Sequence, residues 1–217
     1  SWMAGTPLWT LVEQQGGKAF TFFWPESDAT FAGVKPSEFR LYDSRVPYSD
    51  RVKQVIRWLE GSPLARPDLV TLYFSSVDSA GHTYGPDAPE TAAAIADVDL
   101  WVGKLWDGIQ RINDLDTGAL ISLLIVSDHG MAKVDPNYYI DTNELPYPLG
   151  FKRVNGGSRV MYYRRNLDAD LEALRTALDR QANGRFWVLD KQTLAERGYV
   201  DHPAVADLII ETEPPRM

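Results

Sequence analysis

The chain has 217 residues, 44% of them hydrophobic, enough to build the core of one domain or of one domain with an insertion. Thirty acidic against 22 basic residues give a net charge of −8, which excludes general nucleic-acid binding through phosphate contacts and adhesion to an anionic membrane, although not a single phosphate held by metal ions. There is no cysteine, so disulfides and thiolate metal sites are excluded. No run approaches the roughly eighteen apolar residues of a membrane span, and the start, SWMAGTPLW, lacks the layout of a signal peptide.

Taken in order, Thr6 followed by Pro7 reads as an N-cap and first helical residue, with Leu8, Leu11 and Val12 as the apolar stripe of a short helix that Gly16 and Gly17 stop. Lys18 to Trp24 reads as a strand closed by the loop Pro25-Glu26-Ser27-Asp28. Phe20, Phe22 and Phe23 are expected in its core, while Trp24 and Pro25 stand where they can line a pocket. Ala32 to Pro47 shows no clear period, although Phe39, Leu41 and Tyr42 can cover a sheet. Ser49 and Asp50 open a helix with Val52, Val55, Ile56 and Leu59 on one face, ended by Gly61-Ser62-Pro63.

Asp68 to Phe74, DLVTLYF, has the unalternating apolar pattern of a strand covered on both faces, as in a parallel sheet under helices. Ser75-Ser76-Val77-Asp78-Ser79-Ala80-Gly81-His82 follows it, and Gly81, Gly85 and Pro86 predict a loop. A long helix runs from about Pro89 to Asn113, with Ile95, Val98, Val102, Leu105, Trp106 and Ile109 on one face; close packing would account for Gly103 and Gly108. Leu120 to Met131, LISLLIVSDHGM, then repeats the earlier pattern: an apolar run read as a strand buried on both faces, ending in Asp128 and His129, with Gly130 letting the backbone turn.

Beyond Met131 the prolines at 136, 146 and 148 indicate loop, with Tyr138, Tyr139 and Ile140 as a possible short strand. Ser158 to Arg164, Leu167 to Ala182 and Arg185 to Leu189 read as strand, helix, strand; Leu171, Leu174 and Leu178 fall at helical spacing, and Asp168 suits the first turn. Ala206 to Thr212 reads as a strand returning to the main sheet. The organisation expected is one catalytic-type domain: a main α/β core over 1–135, a smaller α+β unit over 136–200, and a return strand within 201–217. His202, before Pro203, reads as a loop or core histidine.

Two apolar strands thus each end in an Asp and a His, in a chain with only three histidines. In open α/β sheets ligands gather beyond the carboxyl ends of strands, so Asp78, His82, Asp128 and His129 stand where chemistry is usually placed. Carboxylate plus imidazole is a donor set suited to zinc or a similar divalent ion, and two such sets suit a paired-metal site. The serines at 75, 76 and 79 read as structural.

LYFSSVDSAGHTYGP, followed downstream by LIVSDHGM and preceded by TFFWPESD, resembles the nucleotide pyrophosphatase/phosphodiesterase family of the alkaline phosphatase superfamily over nearly the whole chain. The longer motifs are specific; the short Asp-His-Gly is shared across the superfamily. The resemblance implies a mainly parallel sheet sandwiched by helices and a hydrolase of phosphodiester or nucleotide pyrophosphate bonds. It implies two zinc ions, with Asp78 and His82 matching ligands of one and Asp128 and His129 ligands of the other. Tyr73 matches an aromatic position that stacks on the base in nucleotide-hydrolysing relatives. It places the nucleophile, a further Asp ligand and a phosphate-holding Asn upstream of these residues, and a last His ligand after the final strand, so the chain is expected to be the middle of a longer, periplasmic or extracellular enzyme with no catalytic nucleophile of its own. Two rival readings remain. One keeps the fold but makes the enzyme a monoesterase, sulfatase or phosphomutase; the other makes the chain a structural or binding domain without turnover.

Overall fold

Glu13 explains how the chain enters its first sheet. It lies near the end of helix α1 (Leu8–Gln14), and its Oε1 accepts 2.7 Å hydrogen bonds from the N–H groups of Ala19 and Ser37, joining the helix to the starts of two strands. These are β1 (Ala19–Phe22) and β2 (Glu38–Arg40), which pair in parallel; β3 (Leu69–Leu72) pairs in parallel on the other side of β1, giving the order β2-β1-β3. The computed structural model describes residues 5–115, 120–157, 159–199 and 204–216, which fall into two units dividing after Met131. His202 lies outside the described residues.

In the first unit, helices α2 (Tyr48–Leu59), α3 (Ser76–Tyr84) and α4 (Pro89–Leu115) accompany the sheet. Val52, Val55 and Leu59 of α2 and Leu105 and Ile109 of α4 are buried with Phe22 and Phe23, as their helical spacing predicts, and Ile112 joins them, whereas Ile95 and Trp106, expected on the same face, are exposed. The long helix has 27 residues, about 40 Å at 1.5 Å per residue. Of its two interior glycines only Gly108 serves close packing, since a Cβ there would stand 2.7 Å from Ile56 Cδ1; Gly103 faces open space. The α1 stripe is corrected too: Trp9 and Thr10 are the buried residues, while Leu8 and Leu11 are exposed, and the N-cap is Pro7.

Two larger corrections concern the motif segments. Residues 75–84 are helix from Ser76 onward, where a loop was predicted. Gly81 does not break this helix: a Cβ there would sit 2.3 Å from Met131 Sδ, so glycine admits that side chain, and the true stop is Gly85, at φ 95°, ahead of Pro86. The run Leu120–Val126, predicted as a strand buried on both faces, has no regular secondary structure and no strand partner among the described residues. Both backbone groups of Ile121 bond the side-chain amide of Asn113, at 2.9 and 3.0 Å. Only Ile121 and Leu123 pack on the core, alternating with the exposed Leu120 and Leu124; the contact ends there, and Ile125 and Val126 are exposed as well. Even β3 is half-buried along its length rather than covered on both faces. Gly130 has no left-handed φ, so its turn does not depend on glycine.

The second unit is an antiparallel sheet of order β4-β5-β7-β6, built from β4 (Phe151–Gly156), β5 (Arg159–Arg164), β6 (Trp187–Asp190) and β7 (Leu208–Glu211). The final strand therefore does not return to the parallel sheet: β7 pairs with β5 and β6, because its alternate residues Leu208 and Ile210 complete a core with Val160, Tyr162, Leu174 and Leu178. Helix α5 (Leu171–Ala182) starts from Asp170, whose carboxylate accepts from Ala173 N–H, rather than from Asp168. The short helix α6 (Lys191–Glu196) is capped the same way by Asp190. Tyr138 ends a 3-10 turn instead of starting a strand, although Ile140 is buried.

Candidate active site

The sheet's carboxyl edge carries the candidate site. β1 ends in a sharp turn: Phe23 adopts φ 61°, a strained conformation for an aromatic residue, and Ser27 folds back so that its hydroxyl donates to the Trp24 carbonyl at 2.7 Å. The chain after β2 brings Leu41 and Tyr42 to the same edge, and the chain after β3 brings Tyr73, Ser75 and, on α3, Asp78. Together they enclose a cleft of about 430 Å³, walled by Phe23, Trp24, Pro25, Tyr42 and Tyr73, with Asp28, Asp78 and Arg40 among its polar groups. Trp24 and Pro25 therefore line a pocket, as their position suggested. Tyr73 is half-buried, its ring 6.3 Å from that of Tyr42, which is the more exposed of the two. Tyr42 donates a 3.1 Å hydrogen bond to Ser75 Oγ. Burial, then the neighbouring Asp128 and Asp78 carboxylates, push the Tyr73 phenol up from its ordinary pKa.

Asp78 and His82 are one helical turn apart on α3, which stacks them on one face. His82 Nε2 lies 3.3 Å from Asp78 Oδ1; His129 Nε2 lies 3.8 Å from the same oxygen and 3.6 Å from Asp128 Oδ2. The four residues singled out from the sequence thus meet, with Asp78 at the junction and on the cleft wall. All remain accessible, from 40% exposure of the Asp78 side chain to 73% for His82. The segment 127–130 is shaped by its own hydrogen bonds: Ser127 Oγ donates to the His129 carbonyl, and Asp128 Oδ1 accepts from His129 N–H.

His129 Nδ1 is 3.0 Å from the Gly130 carbonyl, which can only accept, so a proton belongs on Nδ1 and Nε2 is the nitrogen that faces Asp78. That contact first, then the Asp128 carboxylate, push the imidazole pKa up. Two imidazoles and two carboxylates are a donor set that suits zinc, and edges of 3.3 to 3.8 Å compare with the roughly 3.3 Å between donors about 2 Å from a tetrahedral ion. Among the described residues no three such side chains close on one point, so the set consists of donor pairs, with Asp78 Oδ1 near both imidazoles and Asp128 near His129 alone. The sequence reading missed Tyr42 as a cleft residue and Arg51 beneath it. A signal existed for the second: Arg51 stands four and eight residues before Val55 and Leu59, on the helix's apolar face.

A family model described as type I phosphodiesterase/nucleotide pyrophosphatase matches residues 1–215. The chain is 38% identical over 143 residues to human ectonucleotide pyrophosphatase/phosphodiesterase family member 1, covering 66% of this chain and 15% of that protein. It is 35% identical over 137 residues to the venom phosphodiesterase of Macrovipera lebetinus, covering 63% of this chain and 16% of that one. Among solved structures, murine ectonucleotide pyrophosphatase/phosphodiesterase 5 in complex with AMP superposes with a TM-score of 0.82 at 23% identity, over 96% of this chain and 54% of that chain, a likeness of fold. The chain spans about one sixth of the length of the curated relatives it matches. The α/β fold is alkaline phosphatase-like, and the chain belongs to the type I phosphodiesterase/nucleotide pyrophosphatase family.

Proposed function

We propose that these residues form the metal- and nucleotide-facing part of a hydrolase of phosphodiester or nucleotide pyrophosphate bonds. The observation that carries this reading is the meeting of His82 and His129 at Asp78 Oδ1, with Asp128 beside His129 and Asp78 on the wall of an aromatic cleft. Asp78 with His82, and Asp128 with His129, would hold two divalent ions, zinc by their donor chemistry, with other positions filled by donors elsewhere in the full-length protein, substrate oxygen and water. Such ions, when bound, supply Lewis-acid stabilisation of charge on the phosphoryl oxygens.

The residues of this chain act as ligands and as walls. The Gly130 carbonyl fixes the proton on His129 Nδ1 and so keeps Nε2 available as a donor. Tyr73 and the more exposed Tyr42 offer ring faces to a flat base, and Trp24 and Pro25 close the cleft beside them. No residue of the chain is assigned as nucleophile: Ser75 Oγ bonds Tyr42, and Ser79 Oγ donates to the Ser75 carbonyl, so neither is paired with a base.

Turnover by the full-length protein of bis-(p-nitrophenyl) phosphate, p-nitrophenyl phosphate and p-nitrophenyl sulfate tests the reading. Preference for the diester, abolished by a chelator and restored by zinc, is the expected result. Preference for the monoester or sulfate would replace it with the sibling chemistry, and no turnover of any with metal present would leave a binding domain.

A further inference from the structure

Arg51 has the least exposed charged side chain in the core: it is 1% exposed and makes no ion pair with a carboxylate among the described residues. A guanidinium in that position needs compensation for lost water. Here it comes from two carbonyls, with Nε donating to Val46 O at 3.0 Å and Nη1 to Tyr73 O at 2.9 Å, and from two ring faces, Phe23 at 4.9 Å and Tyr48 at 4.7 Å.

Three of these four partners lead to the cleft. Tyr73 is the residue after β3 at which the chain turns toward α3, and its carbonyl is fixed by the arginine. Phe23 is the strained residue at the end of β1, and its buried ring stands edge-on to Tyr42 at 5.4 Å. Tyr48 packs edge-on against Phe74 at 4.8 Å, and its hydroxyl accepts the Ser76 N–H at 2.7 Å, at the start of the helix that carries Asp78. One side chain therefore joins the ends of β1 and β3 and the first turn of α3. A neutral apolar residue could fill the same volume, but it could not hold two carbonyls and two rings at once.

We propose that Arg51 is a positioning residue for the cleft's aromatic wall: it holds Tyr73, and through Phe23 the ring of Tyr42, in the places where they meet a nucleotide base. This rests on the nucleotide reading above for what the wall binds, while the positioning itself is a claim about the chain alone. A lysine keeps the charge but has neither the planar face nor the fork that reaches both carbonyls.

The test compares the full-length protein with its Arg51→Lys and Arg51→Gln variants by two measurements. The first is steady-state hydrolysis of thymidine monophosphate p-nitrophenyl ester and bis-(p-nitrophenyl) phosphate. Positioning predicts that kcat/KM on the nucleotide ester falls about tenfold, carried by KM, while the small diester changes less than about threefold. Equal loss on both substrates, or no loss on either, overturns it. The second is amide hydrogen exchange, which reads positioning without any substrate: residues 73–76 should exchange about tenfold faster in Arg51→Lys, with α4 unchanged. Unchanged exchange at 73–76, or a uniform rise throughout the first unit, overturns the proposal whatever the activity. If the wild-type protein hydrolyses neither ester, the nucleotide reading fails, and the exchange data alone decide the role of Arg51. If neither variant shows a cooperative unfolding transition, Arg51 is a folding residue and the proposal is overturned.

Discussion

The two units complete their strands differently. In the second unit every strand finds a neighbour, and β7, expected to leave for another sheet, is held between β5 and β6 with Leu208 and Ile210 buried. In the first unit the apolar run Leu120–Val126 has no strand neighbour among the described residues and leaves four of its apolar side chains exposed, yet it ends in two of the candidate site's four donors. The second unit, although Leu149 and Leu167 are exposed, packs apolar residues from every one of its paired strands into one core. The first places its functional groups where the packing is least complete, as binding segments generally do.

If that contrast holds, mutations should separate the units. The largest effect is expected in the second unit's core: Leu178→Ala removes a side chain with no exposed surface and should cost about 2–5 kcal/mol, read from the urea midpoint, whereas a loss below 1 kcal/mol would show the core is not closed. Next comes Asp78, whose Oδ1 stands near both imidazoles. Asp78→Asn should weaken zinc binding on the order of 100-fold by calorimetry, with the fold retained by circular dichroism. Asp128→Asn, which touches one imidazole, should lose less, and the reverse order would contradict the placement of Asp78 at the junction.

A smaller effect separates the units by pH. In the second unit the Thr193 N–H at the start of α6, with Arg175 beside it, holds the Asp190 carboxyl below the usual carboxylate range, against the opposing effect of burial. A carboxyl lowered on folding contributes stability above its unfolded pKa of about 3.9 and loses it as pH falls through the folded value. Asp190→Ala should therefore cost about 1 kcal/mol at pH 7, and the gap should narrow from about pH 5 downward. A gap constant to pH 3 would remove the charge from the account. The smallest effect should come from Leu124→Ser: at 84% exposure it should shift stability by less than about 0.5 kcal/mol in the 217-residue chain.

How much could be read from the residues follows the same contrast. The helices α2, α4 and α5 were legible because their apolar residues recur at helical spacing, and the four donors because Asp and His recur after two apolar runs. The strand β2 and the helix α6 are too short to show a period, and β4 carries Lys152, Arg153 and Asn155 and buries only Phe151. Glycine misled the reading of residues 76–84, since Gly81 reflects the closeness of Met131 and not a break in the helix. The run Leu120–Val126 misled it for another reason: apolar content reports what could be buried, while a strand also needs a neighbour's backbone. Tyr42 was hidden because its role depends on residues distant in sequence, Phe23 and Tyr73, and the apolar-face position of Arg51 signalled burial but not its partners.

The central claim, that Asp78, His82, Asp128 and His129 form a divalent-metal site beside the aromatic cleft, is tested most directly by crystals of the full-length protein grown with zinc and measured at the zinc absorption edge. The account predicts anomalous density about 2.0–2.2 Å from an Asp78 carboxylate oxygen and from His82 Nε2, with a second peak beside Asp128 and His129. Strong anomalous peaks elsewhere, with none within about 4 Å of these four side chains, would contradict it.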